Sequence, residues 1–254
     1  MIAGGWRALD VAARRAPKAA LLALTLLLFP WSPASAEPST ESAPAVGADP
    51  GAPEAQAPYL WVVEGDAGRS FLFGTIHVGV GISDLDPVVG AALDEATRAV
   101  FEADVRTINP LTVFQMAQYP EGASLADDLS PEQLAEVLDA AGSTLPRDAL
   151  VRMRPWFVMT VLLNELVGGT VPVDLQLLQR AESQGDTIGF LESWRDQLEA
   201  FARVPQDYAV ASVVEMAAEP DAIRAELERM VAAYLASEDA VLEALVQSPE
   251  DREA

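Results

Sequence analysis

The fold of this chain is decided by one short segment, Phe71-Leu72-Phe73-Gly74-Thr75-Ile76-His77-Val78-Gly79. Its aromatic and β-branched residues are typical of a β-strand, which we predict over residues 70–76. The run from Tyr59 to Glu64 has the same character, and the turn-forming residues Gly65-Asp66-Ala67-Gly68 separate the two runs. The sequence therefore predicts an N-terminal β-hairpin whose second strand ends beside His77.

Two further strands are indicated downstream of the hairpin. Asp86 as N-cap and Pro87 at the first helical position predict a helix that runs to Thr97. The third strand is predicted from Ala99 to Val105, and a fourth, short strand over Thr187 to Leu191. The order at the N-terminus is therefore β-β-α-β.

The remaining segments are predicted to be helical. Prolines and acids mark the helix starts, and glycines mark several of the ends. Four strands among many helices predict an α/β domain of α+β character, with a small central sheet and mainly helical insertions. Three tryptophans are expected to pack in its core rather than to form a ligand cage: Trp61, Trp156 and Trp194. The further helices are predicted over residues 110–118, 130–141, 154–168 and 173–184 and through most of 193–246.

The N-terminus has the pattern of a secretory signal peptide. Basic residues precede an apolar run from Ala19 to Phe29, and Ala34-Ser35-Ala36 supplies the small residues of a cleavage site. The run is shorter than the roughly 20 residues that cross a bilayer. We therefore expect residues 1–36 to be a signal peptide, cleaved after Ala36, and the protein to be periplasmic or secreted without a stable membrane anchor.

The composition of the remaining residues indicates a linker followed by a domain, and it excludes some classes of partner and metal ligand. Residues 37–58, rich in Pro, Ala, Glu and Ser, are predicted to be a disordered linker before a domain at 59–254. Without residues 1–36 the chain has 12 arginines and 38 acidic residues, a net charge of −26. Nucleic acid and anionic lipid are repelled by this charge and are not expected partners. The chain has no cysteine, so any metal must be bound by His, Asp or Glu.

The residues that can carry chemistry lie at the predicted strand ends. His77 is the only histidine, and Glu102 and Asp104 share one face of the third strand. If the second and third strands are neighbours, these groups converge into a site that suits a divalent metal, with one carboxylate as general base on a bound water. Alternatively, His77 is a hydrogen-bonded structural residue and Glu102 pairs with Arg106 or Arg154. The residues alone leave both interpretations open.

Six segments in the same order resemble the TraB/GumN family, to which the Wnt-cleaving TIKI metalloproteases are related. The resemblance spans roughly residues 59–246 and implies a small central sheet with helical insertions. It also implies a metal-dependent, peptidase-like hydrolase that acts on a peptide or protein substrate. The segments are Leu60-Trp61, Gly74-Thr75-Ile76-His77, Phe101-Glu102-Ala103-Asp104, Arg154-Pro155-Trp156, Val173-Asp174-Leu175-Gln176-Leu177-Leu178 and Leu191-Glu192-Ser193-Trp194-Arg195-Asp196-Gln197.

The resemblance also implies a site and a cofactor. The family's centre is built from two Gly-x-x-His motifs, an acid and an arginine. On this sequence, His77 and Glu102 are the implied metal ligands, with Mn, Co or Zn as the metal. Glu102 and Arg154 are the implied catalytic residues. Glu192, at the end of the fourth strand, is expected near the same edge as a third catalytic residue.

The sequence departs from the family pattern in two places. The second Gly-x-x-His motif is absent, and the chain ends at Ala254, about where the family carries it. Val173 stands where the family has a glycine. Three hypotheses follow: an exported metal-dependent hydrolase, a non-catalytic binding or remnant protein, and a truncated product whose fold is incomplete at the C-terminus.

Overall fold

The computed structural model describes residues 59–66, 68–143, 145–168 and 171–246. The expected signal peptide and the linker at 37–58 lie outside these residues. The described part is a mixed α/β domain of α+β character, as predicted, and none of its helices is long and apolar enough to cross a membrane. Its strands are β1 (Leu60–Gly65), β2 (Gly68–Phe73), β3 (Arg98–Ala103) and β4 (Thr187–Glu192). Its helices are α1 (Pro87–Glu95), α2 (Pro110–Ala117), α3 (Pro131–Ala140), α4 (Arg147–Leu150), α5 (Pro155–Val167), α6 (Val173–Gln184), α7 (Trp194–Ala202), α8 (Gln206–Ala218), α9 (Pro220–Leu235) and α10 (Asp239–Val246).

The predicted hairpin is present, but its second strand is shorter than expected. β1 and β2 pair antiparallel, with Leu60 opposite Phe73. The ladder closes where the Gly74 N–H donates to the Tyr59 carbonyl at 2.9 Å. The prediction that the strand reaches residue 76 is therefore wrong, and His77 lies in an irregular segment beyond it.

The four strands form two separate two-stranded sheets instead of one central sheet. β3 and β4 pair in parallel, with Arg98 opposite Thr187 and Phe101 opposite Phe190. Because β2 ends at Phe73, the segment that follows it lies near β3 as a loop and does not add a third strand to the β3–β4 sheet. The carboxyl ends of β3 and β4 consequently meet at one edge, and the His77 segment lies beside it.

The apolar residues form two core clusters. The larger cluster surrounds α5, in which every residue from Pro155 to Leu163 is buried. A helix that is apolar on all sides must be enclosed by its neighbours. The smaller cluster contains Ile76, Val173 and Tyr234, and it anchors the His77 segment against α6 and α9.

The tryptophans do not all lie in the core. Trp156 is buried in the larger cluster, and Trp194 is half-buried at its margin. Trp61 is exposed on the hairpin. The prediction of core packing is therefore wrong for Trp61, because the face of β1 on which it lies is open to solvent.

Helix α6 ends as predicted at Gly185, which has a φ of +84°. A Cβ at this position meets nothing within 4 Å, so Gly185→Ala adds backbone strain and no clash. We expect this variant to lower the free energy of unfolding by about 1 kcal/mol, as measured by urea denaturation. Gly65→Ala is the matched control, since Gly65 is equally open but has no positive φ. Equal losses in both variants would contradict the explanation.

Candidate functional site

His77 lies between two carboxylates. Its Nδ1 is 2.6 Å from Asp174 Oδ2, and its Nε2 is 3.7 Å from Glu102 Oε2. Only 8% of the side chain is exposed. Burial by itself lowers the pKa of His77, but the hydrogen bonds and charges of Asp174 and Glu102 outweigh it and raise the pKa to about 10. The imidazole in this arrangement is therefore a cation at neutral pH.

Asp174 fixes two residues of the segment that carries His77. It lies in the first turn of α6, where a helix favours negative charge. Its Oδ1 accepts a hydrogen bond from the Thr75 hydroxyl at 2.7 Å, while Oδ2 binds His77. Asp174 was not among the predicted site residues. Its position in a helical first turn, inside a segment that resembles the family, was the signal that could have found it.

Two further contacts hold the same segment in place. The Tyr234 hydroxyl of α9 donates to the Gly74 carbonyl at 2.7 Å. At the other end, the Ile82 N–H donates to Gln176 Oε1 at 3.1 Å. The loop from 74 to 82 is thus fastened to α6 and α9, and the position of His77 is set by tertiary contacts.

Glu102 and Glu192 lie at the carboxyl ends of β3 and β4. The Gln197 Nε2 of α7 donates to Glu102 Oε2 at 3.4 Å. Partial burial and the charge of Glu102 raise the pKa of Glu192, although Gln197 opposes the shift. Glu192 therefore holds a proton at higher pH than an ordinary glutamate. Gln197, which no motif in the sequence singled out as a site residue, contacts Glu102.

Asp104, which was predicted to converge with Glu102 and His77, is engaged elsewhere. Asp104 follows β3, and its Oδ1 lies 2.6 Å from Arg106 Nε. Arg106 also pairs with Glu182 of α6. The carboxylate partners of Arg106 in these ion pairs are thus Asp104 and Glu182, and the alternative pairing of Arg106 with Glu102 is not what the structure contains.

Arg154 lies in a different environment from His77. It precedes α5, and its Nε donates to the Gln118 carbonyl at 3.0 Å. Arg154 is not among the residues that line the cleft beside His77. The structure therefore brings His77 and Glu102 into one cleft, places Glu192 opposite Ala103 on the neighbouring strand, and places Arg154 with Gln118. The catalytic role of Arg154 stays a prediction.

A shallow cleft opens beside His77. Including the part open to solvent, it has a volume of about 280 Å³. His77, Glu102 and Asp174 form its polar wall, and Phe101 and Leu178 are among the apolar residues that line it. The enclosed part of this cleft is only about large enough for one water molecule or a single ion beside the two carboxylates.

A divalent cation in this cleft would have two protein ligands, Glu102 Oε2 and, after loss of its proton, His77 Nε2. The 3.7 Å between His77 Nε2 and Glu102 Oε2 is longer than a hydrogen bond. It is close to the roughly 3–3.5 Å between two ligands that each lie about 2.1 Å from one metal ion. Metal-binding histidines usually carry a carboxylate on the other ring nitrogen, as His77 carries Asp174. Across the described part of the chain, no three or more His, Cys, Asp or Glu side chains are arranged around one metal position.

Comparison with known proteins identifies the family. The sequence model of the TraB/PrgY/gumN family matches residues 59–254, well over half of the chain, and this range contains His77, Glu102, Asp174 and Glu192. Comparisons with curated proteins and with solved structures gave no significant match. The resemblance inferred from the six sequence segments is thereby confirmed, and the chain belongs to the TraB/PrgY/gumN family.

Proposed function

We propose that this chain is an exported, metal-dependent hydrolase that acts on peptides or proteins. The observation that supports this function best is the position of the His77 ring between the carboxylates of Asp174 and Glu102. Asp174 fixes the orientation of the imidazole through Nδ1 and directs Nε2 toward Glu102. Export is supported by the signal-peptide pattern of residues 1–36, which places the domain in the periplasm or outside the cell.

Each side chain of the site has a proposed role. His77 and Glu102 hold a divalent cation, such as Mn, Co or Zn, which when bound polarises a carbonyl and lowers the pKa of water. Asp174 keeps the ring oriented by accepting a hydrogen bond from Nδ1–H. Glu192, whose pKa is raised, is suited to accept a proton from water and to return it to the leaving amine. Gln197 donates a hydrogen bond to Glu102 and orients its carboxylate.

A non-catalytic binding protein is the second candidate. One observation favours it: both ring nitrogens of His77 face a carboxylate, and the resulting cation is a stable clamp between β3 and α6. In this case His77 keeps its proton, and the clamp has a structural role. The two candidates differ in what occupies the space between His77 and Glu102.

Metal titration distinguishes these candidates. We expect Mn²⁺ or Zn²⁺ to bind the wild-type protein and to displace a proton from His77, because the raised pKa means that the ring is protonated beforehand. Calorimetry in two buffers of different ionisation enthalpy measures both binding and proton release. His77→Ala is expected to weaken binding about 100-fold or more.

The matched control for this titration is Asp104→Asn. Asp104 is a nearby acid engaged with Arg106, so its loss is expected to leave metal affinity unchanged. A wild-type protein that binds neither ion, and whose His77 stays protonated, would contradict the hydrolase proposal and favour the binding protein.

A further inference from the structure

An apolar surface lies on one side of the β1–β2 hairpin. It consists of Trp61, Val63 and Leu72, which we call the hairpin face. Trp61 and Leu72 are cross-strand partners, and Val63 lies two residues beyond Trp61 and therefore on the same side. These side chains are 52%, 59% and 63% exposed, respectively. Clustered exposure of large apolar side chains, as opposed to scattered single ones, marks a binding surface.

The hairpin face is not the side that holds the hairpin in the fold. Leu60 and Phe73, on the opposite side, pack against the smaller core cluster. A two-stranded hairpin is marginally stable alone, so this packing is what keeps it in place. The hairpin face is therefore free to contact another molecule.

The hairpin face is connected to the candidate site by a short stretch of chain. The Trp61 ring lies against Gly74, where an added Cβ would be 3.8 Å from Cζ3 of the ring. Gly74 is three residues from His77, a distance of at most about 11 Å along the chain. An extended peptide of about six residues, roughly 20 Å long, is thus long enough to touch both the hairpin face and the carboxylates beside His77.

Charge indicates which molecule binds there. The chain carries a net charge of −23, so a second copy is repelled and a basic segment is attracted. The carboxyl ends of β3 and β4 carry Glu102 and Glu192, which add to the negative charge next to the candidate site. A positive charge at this edge is therefore attracted. The occupant that suits both surfaces is apolar and basic.

We propose that the hairpin face and the carboxylates of Glu102 and Glu192 form one binding surface for an extended peptide that carries bulky apolar side chains next to basic ones. The apolar side chains pack on Trp61 and Leu72, and the basic side chains lie at the carboxylates. This inference concerns the metal-free protein, in which no cation competes for Glu102, and it rests on the proposed hydrolase only in naming its substrate class.

The test is fluorescence anisotropy with a labelled hexapeptide that alternates Arg with Leu or Phe, added to the full-length exported protein at low salt. We expect Leu72→Ser to weaken binding about five- to tenfold, because an apolar contact is lost. Leu111→Ser is the matched control, since Leu111 on α2 is 64% exposed, like Leu72, but lies outside the hairpin. Peptides with Glu in place of Arg, or Ser in place of the apolar residues, are expected to bind at least tenfold more weakly.

The outcomes separate this inference from the hydrolase proposal. Equal affinities of the Leu72 and Leu111 variants, or no binding by the wild-type protein, would overturn the inference. So would sedimentation showing a dimer that only Leu72→Ser dissociates, because the hairpin face would then belong to a second copy. Peptide binding without metal binding would contradict only the hydrolase proposal. Metal binding without peptide binding would contradict only the present inference.

Discussion

Asp174→Ala is expected to lower the free energy of unfolding by about 3 kcal/mol. The substitution leaves the buried His77 ring without its closest carboxylate, and removing one partner of a buried ion pair costs roughly 3–5 kcal/mol. We take the lower end because Asp174 is partly exposed. The Thr75 hydroxyl loses its acceptor as well. Urea denaturation followed by circular dichroism measures the loss.

The control for this prediction is Asp221→Ala. Asp221 is also paired with an arginine, Arg224 at 2.7 Å, but its side chain is almost fully exposed. Exposed ion pairs contribute little, so a change below about 0.5 kcal/mol is expected. If both variants lose similar stability, the clamp around His77 is not a significant source of stability.

The second large effect is the titration of His77 in the metal-free protein. Its ring protons are the only histidine signals in the exported domain, so proton NMR follows them without overlap. We expect a pKa of about 10 in the wild-type protein, against an ordinary value of 6.5. The pKa is expected to fall by two or more units in Asp174→Asn, since the main hydrogen-bonding partner of the cation is lost.

The shift also gives a pH dependence of stability. Because the folded-state pKa is raised, the contribution of His77 is fully present below about pH 6.5 and is lost as the pH rises toward 10. Wild-type stability should therefore fall across this interval, with a shallower slope in Asp174→Asn. A wild-type pKa near 6.5 would show that the carboxylates do not hold a cation.

The local elements of the fold could be predicted because their signals are local. Ser130 and Gln133 form the capping box at the start of α3, with Gln133 N donating to the serine hydroxyl at 3.2 Å. Gly185 closes α6 in the left-handed conformation that the sequence indicated. Signals of this kind depend on residues within one helical turn, and a single sequence contains them.

The pairing of the strands and the centre of the site could not be predicted in the same way. Periodicity extended β2 to residue 76, but the end of the strand is set by where its partner β1 begins, at Leu60. Glu192 was expected near Glu102 only through the resemblance to the family, because the sequence did not show that β3 and β4 pair in parallel. Asp174 is 97 residues from His77 in sequence, and only packing of α6 against β3 brings it to the ring.

The exposure of Trp61 could not be predicted for a similar reason. An alternating strand tells which residues share a side, but not which side is covered by the rest of the chain. The distribution of the core between two clusters decides this, and the smaller cluster contacts Leu60 and Phe73.

The hydrogen bond from Tyr234 to Gly74 joins residues 160 positions apart. The contact closes a very long loop, whose entropy must be overcome before the contact stabilises anything. During synthesis, the segment that carries His77 is made long before the helix that secures it. A growing chain therefore carries every acid of the site, together with its histidine, without yet having the site. The contact that fastens Gly74 can therefore form only after α9 has been synthesised.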